Sequence, residues 1–310
     1  MNELIFSQPW SISADRFRTL QGYQAGMDIL PNRPKGLETK GKTAIISITG
    51  VISKRGGIIS KLFGGTALDE VMVDFQKALT GPDVENILLF IDSPGGTVDG
   101  TQELADLIYN SRGKKRIFTF SDGIIASAAY WIGAAAEEVY ISGPTVEGGS
   151  IGVVAAHVDI SKYEEKIGFK TTEIYAGKYK RIASNYGPLT DEGKGEIQAQ
   201  VDYLYSIFVN DVAKYRPQLS VDHLGAWADG KVFIGSQAIQ AGLVDGMGSL
   251  DVFLESIAAG RPAKAEGPSF DDKLLLKWKH NSALRAEFAN DYETYKAFYE
   301  AKEAGLVGRL

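Results

Sequence analysis

Three aliphatic runs, each followed within a few residues by apolar positions at helical spacing, constrain this chain more than any other feature. "TAIISITGVIS" (43–53) has the length and β-branched content of a buried strand. "TALDEVMVDFQKALT" (66–80) reads as a helix, with Thr66 as the expected N-cap and Asp69 and Glu70 in the first turn. "VENILLFIDSPGG" (84–96) is a second buried strand running into a glycine turn, and "DGTQELADLIYNSR" (99–112) a second helix. "RIFTFSDG" (116–123) and the alanine-rich "GIIASAAYWIGAAA" (123–136) repeat the pair. "EEVYISGP" (137–144), "GSIGVVAAHVDI" (149–160) and "FKTTEIYAG" (169–177) read as further strands. Such alternation predicts an α/β fold with right-handed crossovers and a mostly parallel sheet. Active groups in these sheets gather where strands end and helices begin, as Ser127 and "DSPGG" do here.

The flanks differ from this pattern. Residues 1–40 read as an N-terminal arm, with a short helix near "SADRFRTLQGYQAGM" (13–27) and then a polar Pro/Gly stretch. The alternating region covers 41–258. Beyond it, "AAGRPAKAEGPSFDD" has linker composition and leads into a helix-prone, aromatic tail of mixed charge, so 259–310 reads as linker and helical tail.

Composition removes several chemistries. The 310 residues include no cysteine, which excludes a thiol nucleophile, a disulfide scaffold and the common zinc clusters. A net charge of −6 argues against a nucleic-acid partner. The longest apolar run, 14 residues ending at Glu137 and Glu138, falls short of the about 20 that a bilayer span needs. A soluble, cytoplasmic protein without a membrane partner is expected. With no P-loop and no H-E-x-x-H, no cofactor, metal or ATP requirement is expected either.

Three features could carry chemistry. The glycines of "DSPGG" could turn backbone N–H groups toward a developing oxyanion, although such a sequence also makes an ordinary turn. Ser127 lacks the glycines of a G-x-S-x-G elbow, and a serine among alanines also suits helix packing. Lys178 and Lys180 follow a strand-like segment; either could serve as a base if apolar walls lowered its pKa, while an exposed lysine stays protonated. His157 could serve a Ser-His-Asp triad as its base but reads as a structural histidine, and Asp92 and Asp99 read as turn caps.

Taken in order, "DSPGGTVDG", "GIIASAAYWIGAAAEEVYIS", "GSIGVVAAHVDI", "IYAGKYKRIAS" and "KVFIGSQAIQAGLVDGMGSL" resemble the signal peptide peptidase A family of Ser-Lys serine peptidases (peptidase S49) over about residues 44–255. The similarity is greatest to its phage head-maturation branch. The resemblance implies an α/β, ClpP/crotonase-like fold of repeated ββα units and assembly into a homo-oligomeric ring. It implies Ser127 as nucleophile and Lys180 as general base in a buried site, with Lys178 as the alternative base. Gly96 and Ala128 would supply the oxyanion N–H groups, and Ser150 would orient the lysine. The implied partner is an extended peptide paired as a strand with an exposed edge, drawn from capsid or scaffold proteins in the host cytoplasm or phage procapsid. The competing readings are a crotonase-like acyl-CoA enzyme and a scaffold protein whose site has fallen silent.

Overall fold

The strands that the aliphatic runs predict pair side by side, because both of their faces are too apolar for water. β3 (Thr43–Thr49) lies parallel to β6 (Asn86–Asp92) over its full length, from Thr43 opposite Asn86 to Thr49 opposite Asp92. β8 (Arg116–Ser121) continues the parallel ladder on the other side of β6, β10 (Glu138–Ile141) follows β8, and β13 (Gly246–Met247) follows β10. β2 (Leu37–Lys40) closes the opposite edge antiparallel to β3. These six strands form the main sheet. The computed structural model describes residues 10–12, 36–56, 65–260, 278, 282–288 and 291–303. The predicted arm helix near 13–27 lies outside them.

Three main-sheet strands, β3, β6 and β8, are each followed by a short strand in a second layer and then by a helix. β3 leads to β4 (Ile52–Ser53), β5 (Thr66–Ala67) and α1 (Leu68–Thr80). β6 leads to β7 (Gly95–Thr97) and α2 (Thr101–Tyr109), and β8 to β9 (Ile124–Ala126) and α3 (Ala128–Ala134). β10 leads to β11 (Glu147–Gly149), and there the repeat breaks. In place of a packed helix come an irregular stretch, the short α4 (Ser161–Lys166), and more irregular chain up to α5 (Asp191–Tyr215). After α6 (Leu224–Trp227), β12 (Val232–Ile234) returns antiparallel to β11, and α7 (Ser236–Gln240) and α8 (Leu250–Ala258) complete the unit. The second layer thus holds one small sheet in the order β12-β11-β9 and another in the order β1-β7-β4-β5, where β1 is Trp10–Ile12. A single bridge from Ser93 to Ile125 joins them.

Two local readings need correction. Thr66 does not cap α1; Ala67 holds that position, and the Thr66 hydroxyl accepts from the Thr49 N–H and donates to the Thr49 carbonyl, both at 2.8 Å. Residues 150–160 and 169–177 form no ladder. Ile151 is buried in the core, but the residues after it in the first segment are half-buried or exposed, and in the second Ile174 is 98% exposed. Strand propensity without a partner strand does not make a strand.

α3 is the most deeply set helix, with all seven of its residues buried. Trp131 stacks on Phe208 of α5 at 4.3 Å and 7°. Its indole N–H donates to Asp211 at 3.1 Å, and the same oxygen accepts from Gln102. At the other end, Arg112 donates to the carbonyls of Ala134 and Ala135, which an α-helix leaves without intrahelical partners. Burial lowers the Arg112 pKa, and the guanidinium keeps its charge through these bonds. Beyond Tyr130, whose hydroxyl donates to the Leu243 carbonyl at 2.8 Å, Arg216 pairs with Asp245 at 2.6 Å.

Residues 266–310 form a separate compact unit. In it, Trp278 and Tyr295 are buried against Phe288, Tyr292 and Tyr299. Phe288, Tyr292, Tyr295 and Tyr299 recur at helical spacing across α9 (Ser282–Glu287), its following turn and α10 (Tyr292–Glu303), which gathers them on one side.

Burial pushes the Asp211 carboxyl above its ordinary range, with Asp106 adding to the effect. The folded chain therefore holds this proton more tightly than the unfolded chain, and stability from this group falls as pH rises through the raised pKa. Asp211→Asn keeps an acceptor for Trp131 and removes the desolvated charge. Thermal unfolding should show the variant at least as stable as wild type at neutral pH, with the difference shrinking as pH falls toward the ordinary carboxylate range.

Candidate active site

A serine with positive φ carries the site. Ser127 has φ 57° and ψ −123° at the junction of β9 and α3. Gly235 adopts nearly the same conformation, φ 52° and ψ −117°, at the matching junction of β12 and α7. The fold thus makes this elbow twice, once with the residue suited to it and once with a serine. Among the described residues, Ser127 and Ser150 are the two non-glycine positions with positive φ. Such conformations cost about 1–3 kcal/mol each and persist where the surroundings over-determine them.

The surroundings are on both sides of the backbone. The Ser127 N–H donates to the Gly149 carbonyl at 2.8 Å, and its carbonyl accepts from the Trp131 N–H at 2.9 Å. β9 and β11 are parallel with Ala126 opposite Gly149, so one further step along the register sets Ser127 beside Ser150. Gly149, at φ 98°, and Ser150, at φ 51°, turn the chain out of β11 at this point. The Ser150 N–H donates to the Lys231 carbonyl at 2.7 Å, which holds the turn against the approach to β12. Both serines are buried, Ser127 completely.

The glycine turn meets the same strand from the other side. The Ser93 N–H donates to the Ile124 carbonyl at 2.7 Å, and the Ala126 N–H donates to the Ser93 carbonyl at 3.2 Å. Ser93 is a positioning residue that sequence reasoning passed over as part of a turn. Its hydroxyl donates to the Gly50 carbonyl at 2.6 Å and accepts the Gly95 N–H at 3.1 Å, which sets the orientation of the glycine pair. A buried serine directly before Pro-Gly-Gly at the end of a strand is the signal that could have found it. Asp92 also takes a part: its carboxylate accepts the Ile124 N–H at 3.0 Å, tying β6 to the start of β9.

Gly96 is required for a different reason from the one its sequence context suggests. A Cβ there would stand 1.9 Å from the Ile52 carbonyl oxygen, so the missing side chain makes room for β4 and not for a cavity. Gly95 is needed for its φ of 103°. Ala128 is the first residue of α3, and N–H groups of a first turn have no acceptor within their helix. Ser127, Ser150, Ala128 and the Gly95–Gly96 turn are therefore gathered around the ends of β9 and β11.

The lysines are elsewhere. Lys180 sits in an exposed turn, where its N–H donates to Gly177, and the expected buried surroundings are absent because residues 169–183 pack on little. Lys178 is exposed too and pairs with Glu192 at 2.6 Å. That hydrogen bond, with one to Tyr179, raises its pKa and holds it protonated, the opposite of what a base requires. His157 is likewise not directed at Ser127. Its Nε2 lies 2.9 Å from the Ser184 carbonyl, which can only accept, so that nitrogen carries the proton. Asp99 forms an ion pair with Lys54 at 2.7 Å.

With this geometry established, sequence comparison adds the family. The model of Peptidase family S49 matches residues 110–264, half of the chain, and that of Clp protease matches residues 71–145. This chain belongs to peptidase family S49. Its α/β fold of ββα repeats is of the ClpP type, as the second match indicates. It is 32% identical over 202 residues to the head-tail preconnector protein GP5 of Enterobacteria phage P21, covering 65% of this chain and 40% of that one. To the capsid assembly protease C of Escherichia phage lambda it is 29% identical over 224 residues, 71% of this chain and 50% of that one. Against slr0021 of Synechocystis sp. the identity is 30% over 242 residues, 77% of this chain and 82% of the other. The chain thus spans about half the length of the phage relatives or less. No helix among the described residues is long and apolar enough to cross a membrane.

The strained elbow makes a stability prediction independent of activity. Compared with each other, Ser127→Gly and Ser127→Ala both lack the hydroxyl and differ in backbone freedom. The glycine variant should be the more stable by about 1 kcal/mol in chemical denaturation, reversing the usual order of these residues.

Proposed function

We propose that this protein is a serine endopeptidase in which Ser127 is the nucleophile and Lys180 the general base. The observation that carries the reading is the strained, buried Ser127 elbow lying one strand away from the Gly95–Gly96 turn, in a chain of family S49. The Ser127 hydroxyl attacks the peptide carbonyl carbon while its proton passes to the Lys180 amine. The N–H groups of Gly96 and Ala128 hold the resulting oxyanion. Collapse expels the amine product, which takes the proton from Lys180, and leaves an ester on Ser127. Water activated by the same lysine then hydrolyses that ester and restores the enzyme. Ser150, at the next register position, accepts or donates to the lysine and fixes its direction. None of these steps calls for ATP, a metal or another cofactor.

A lysine can be this base only when neutral, and an exposed amine is not. Assembly answers the difficulty. The segment that bears Lys180 also exposes Phe169, Ile174, Tyr175 and Tyr179, an apolar surface that a second copy of the chain would cover. Covering it takes water away from the lysine and delivers it to a serine site. The working form is therefore a homo-oligomer, in keeping with the ring that the fold family implies. The names of the phage relatives suggest the substrates, capsid or scaffold proteins presented as extended peptide during head assembly in the host cytoplasm or procapsid. The exposure of Lys180 favours one second reading, a scaffold protein with a silent site.

Cleavage of a casein-like protein separates the two. Wild type should cleave it, and Ser127→Ala and Lys180→Ala should each lose at least a thousandfold in kcat with unfolding curves close to wild type. Lys178→Ala should stay active. Mixing the two dead variants should restore part of the activity, because some assembled sites then join an intact Ser127 to an intact Lys180. Retained turnover in Ser127→Ala removes the nucleophile assignment; a wild type that neither cleaves nor reacts with a fluorophosphonate at Ser127 establishes the scaffold reading.

A further inference from the structure

The edge of β7 is already occupied. β7 carries the glycine turn, and β4 takes one of its sides at Ile52 opposite Gly96. On the other side lies β1, antiparallel, with Trp10 opposite Thr97, Ser11 opposite Gly96 and Ile12 opposite Gly95. The chain's own N-terminal segment is thus the outermost strand of this small sheet.

Its register and direction are those that a peptide bound for cleavage at Ser127 would need. The middle residue, Ser11, stands opposite Gly96, whose N–H is assigned to the oxyanion. β1 runs toward the Gly95 end of β7, which is two residues from Ser93 and its bridge to Ile125 on the strand leading to Ser127. A strand laid on β7 in this sense brings its C-terminal end toward the nucleophile, as the acyl side of a cleaved peptide must. A strand edge offers one row of N–H and C=O groups, and two strands cannot use it together.

We propose that residues 10–12 are a built-in occupant of the peptide-binding edge of β7, so that a substrate strand pairs there only after the chain's own strand has left. The inference rests on the peptidase reading and adds its regulation. Substrate affinity is reduced by the fraction of molecules in which β1 is in place, and a partner that draws the N-terminal segment away activates the enzyme. Recognition at this edge runs through the backbone, so the displacing partner is any extended peptide with a better register or better side chains.

The test uses the full-length chain carrying Ser11→Pro and Ile12→Pro together. Alternate residues of an antiparallel strand donate to the same neighbour, so one of the two prolines removes a ladder N–H whichever way β1 is set. Binding of a fluorescent extended peptide is measured by anisotropy in the Ser127→Ala background, which needs no turnover, and KM is measured in the active enzyme. The dissociation constant and KM should both fall about tenfold on introducing the prolines, with kcat unchanged. A free peptide of residues 7–15, SQPWSISAD, should compete for the vacated edge, and its scrambled form should not. Hydrogen exchange should accelerate in the double variant at Gly96 or Thr97, whichever N–H faces β1, which reports release of β1 even if no substrate is found. Tighter peptide binding without cleavage by either form upholds the inference and removes the peptidase reading. Normal cleavage with unchanged KM, affinity and exchange leaves the peptidase reading standing and overturns the inference.

Discussion

Ser127 holds a backbone conformation that a serine does not adopt unaided, and much of the structure around it serves to impose that conformation. Its N–H is fixed by the Gly149 carbonyl of a neighbouring strand, and its carbonyl by the Trp131 N–H one turn into α3. For these constraints to hold, α3 itself must not move. Trp131 is clamped between Phe208 and the Asp211 carboxylate, and Arg112 gathers the carbonyls at the far end of the helix. The strain at the elbow, on the order of 1–3 kcal/mol, is small beside the burial of one tryptophan and the bonds that flank it. The elbow is stable because the core is rigid, and not because the local sequence prefers it.

The same rigidity fades after Ile151, the last core residue before α5. Between them the chain is half-buried or exposed, and Phe169, Ile174, Tyr175 and Tyr179 face outward beside Lys180. On the proposed reading, one chain holds Ser127, the Gly95–Gly96 turn and Ser150 together, while the lysine lies on the exposed segment. The proposed peptidase, divided in this way, would be inert until assembled. The proposed role of β1 on the edge of β7 would work in the same direction.

Much of the architecture was legible because it is written in local periodicity. The runs over β3, β6 and β8 show their burial in composition alone, and the helices α1 and α2 show theirs in spacing. Segments 150–160 and 169–177 misled for the same reason: their residues have strand propensity, but whether an edge is present to receive them depends on strands distant in sequence. Ser93 was passed over because its two side-chain partners, the Gly50 carbonyl and the Gly95 N–H, come into line only when β3 and β6 lie side by side.

By itself the sequence determined the strand–helix order, the placing of Ser127 and the glycine pair at strand ends, and the chemistry open to a chain without cysteine. These follow from side-chain pattern, which acts over a few residues. The tertiary structure alone decided that Ser127 is strained, that Gly96 is a glycine because β4 passes against it, that both lysines lie in water, and that Trp10–Ile12 pairs with the edge of β7. Each of those is set by the register between segments tens of residues apart. Register is a property of two surfaces in contact, and neither segment carries it alone.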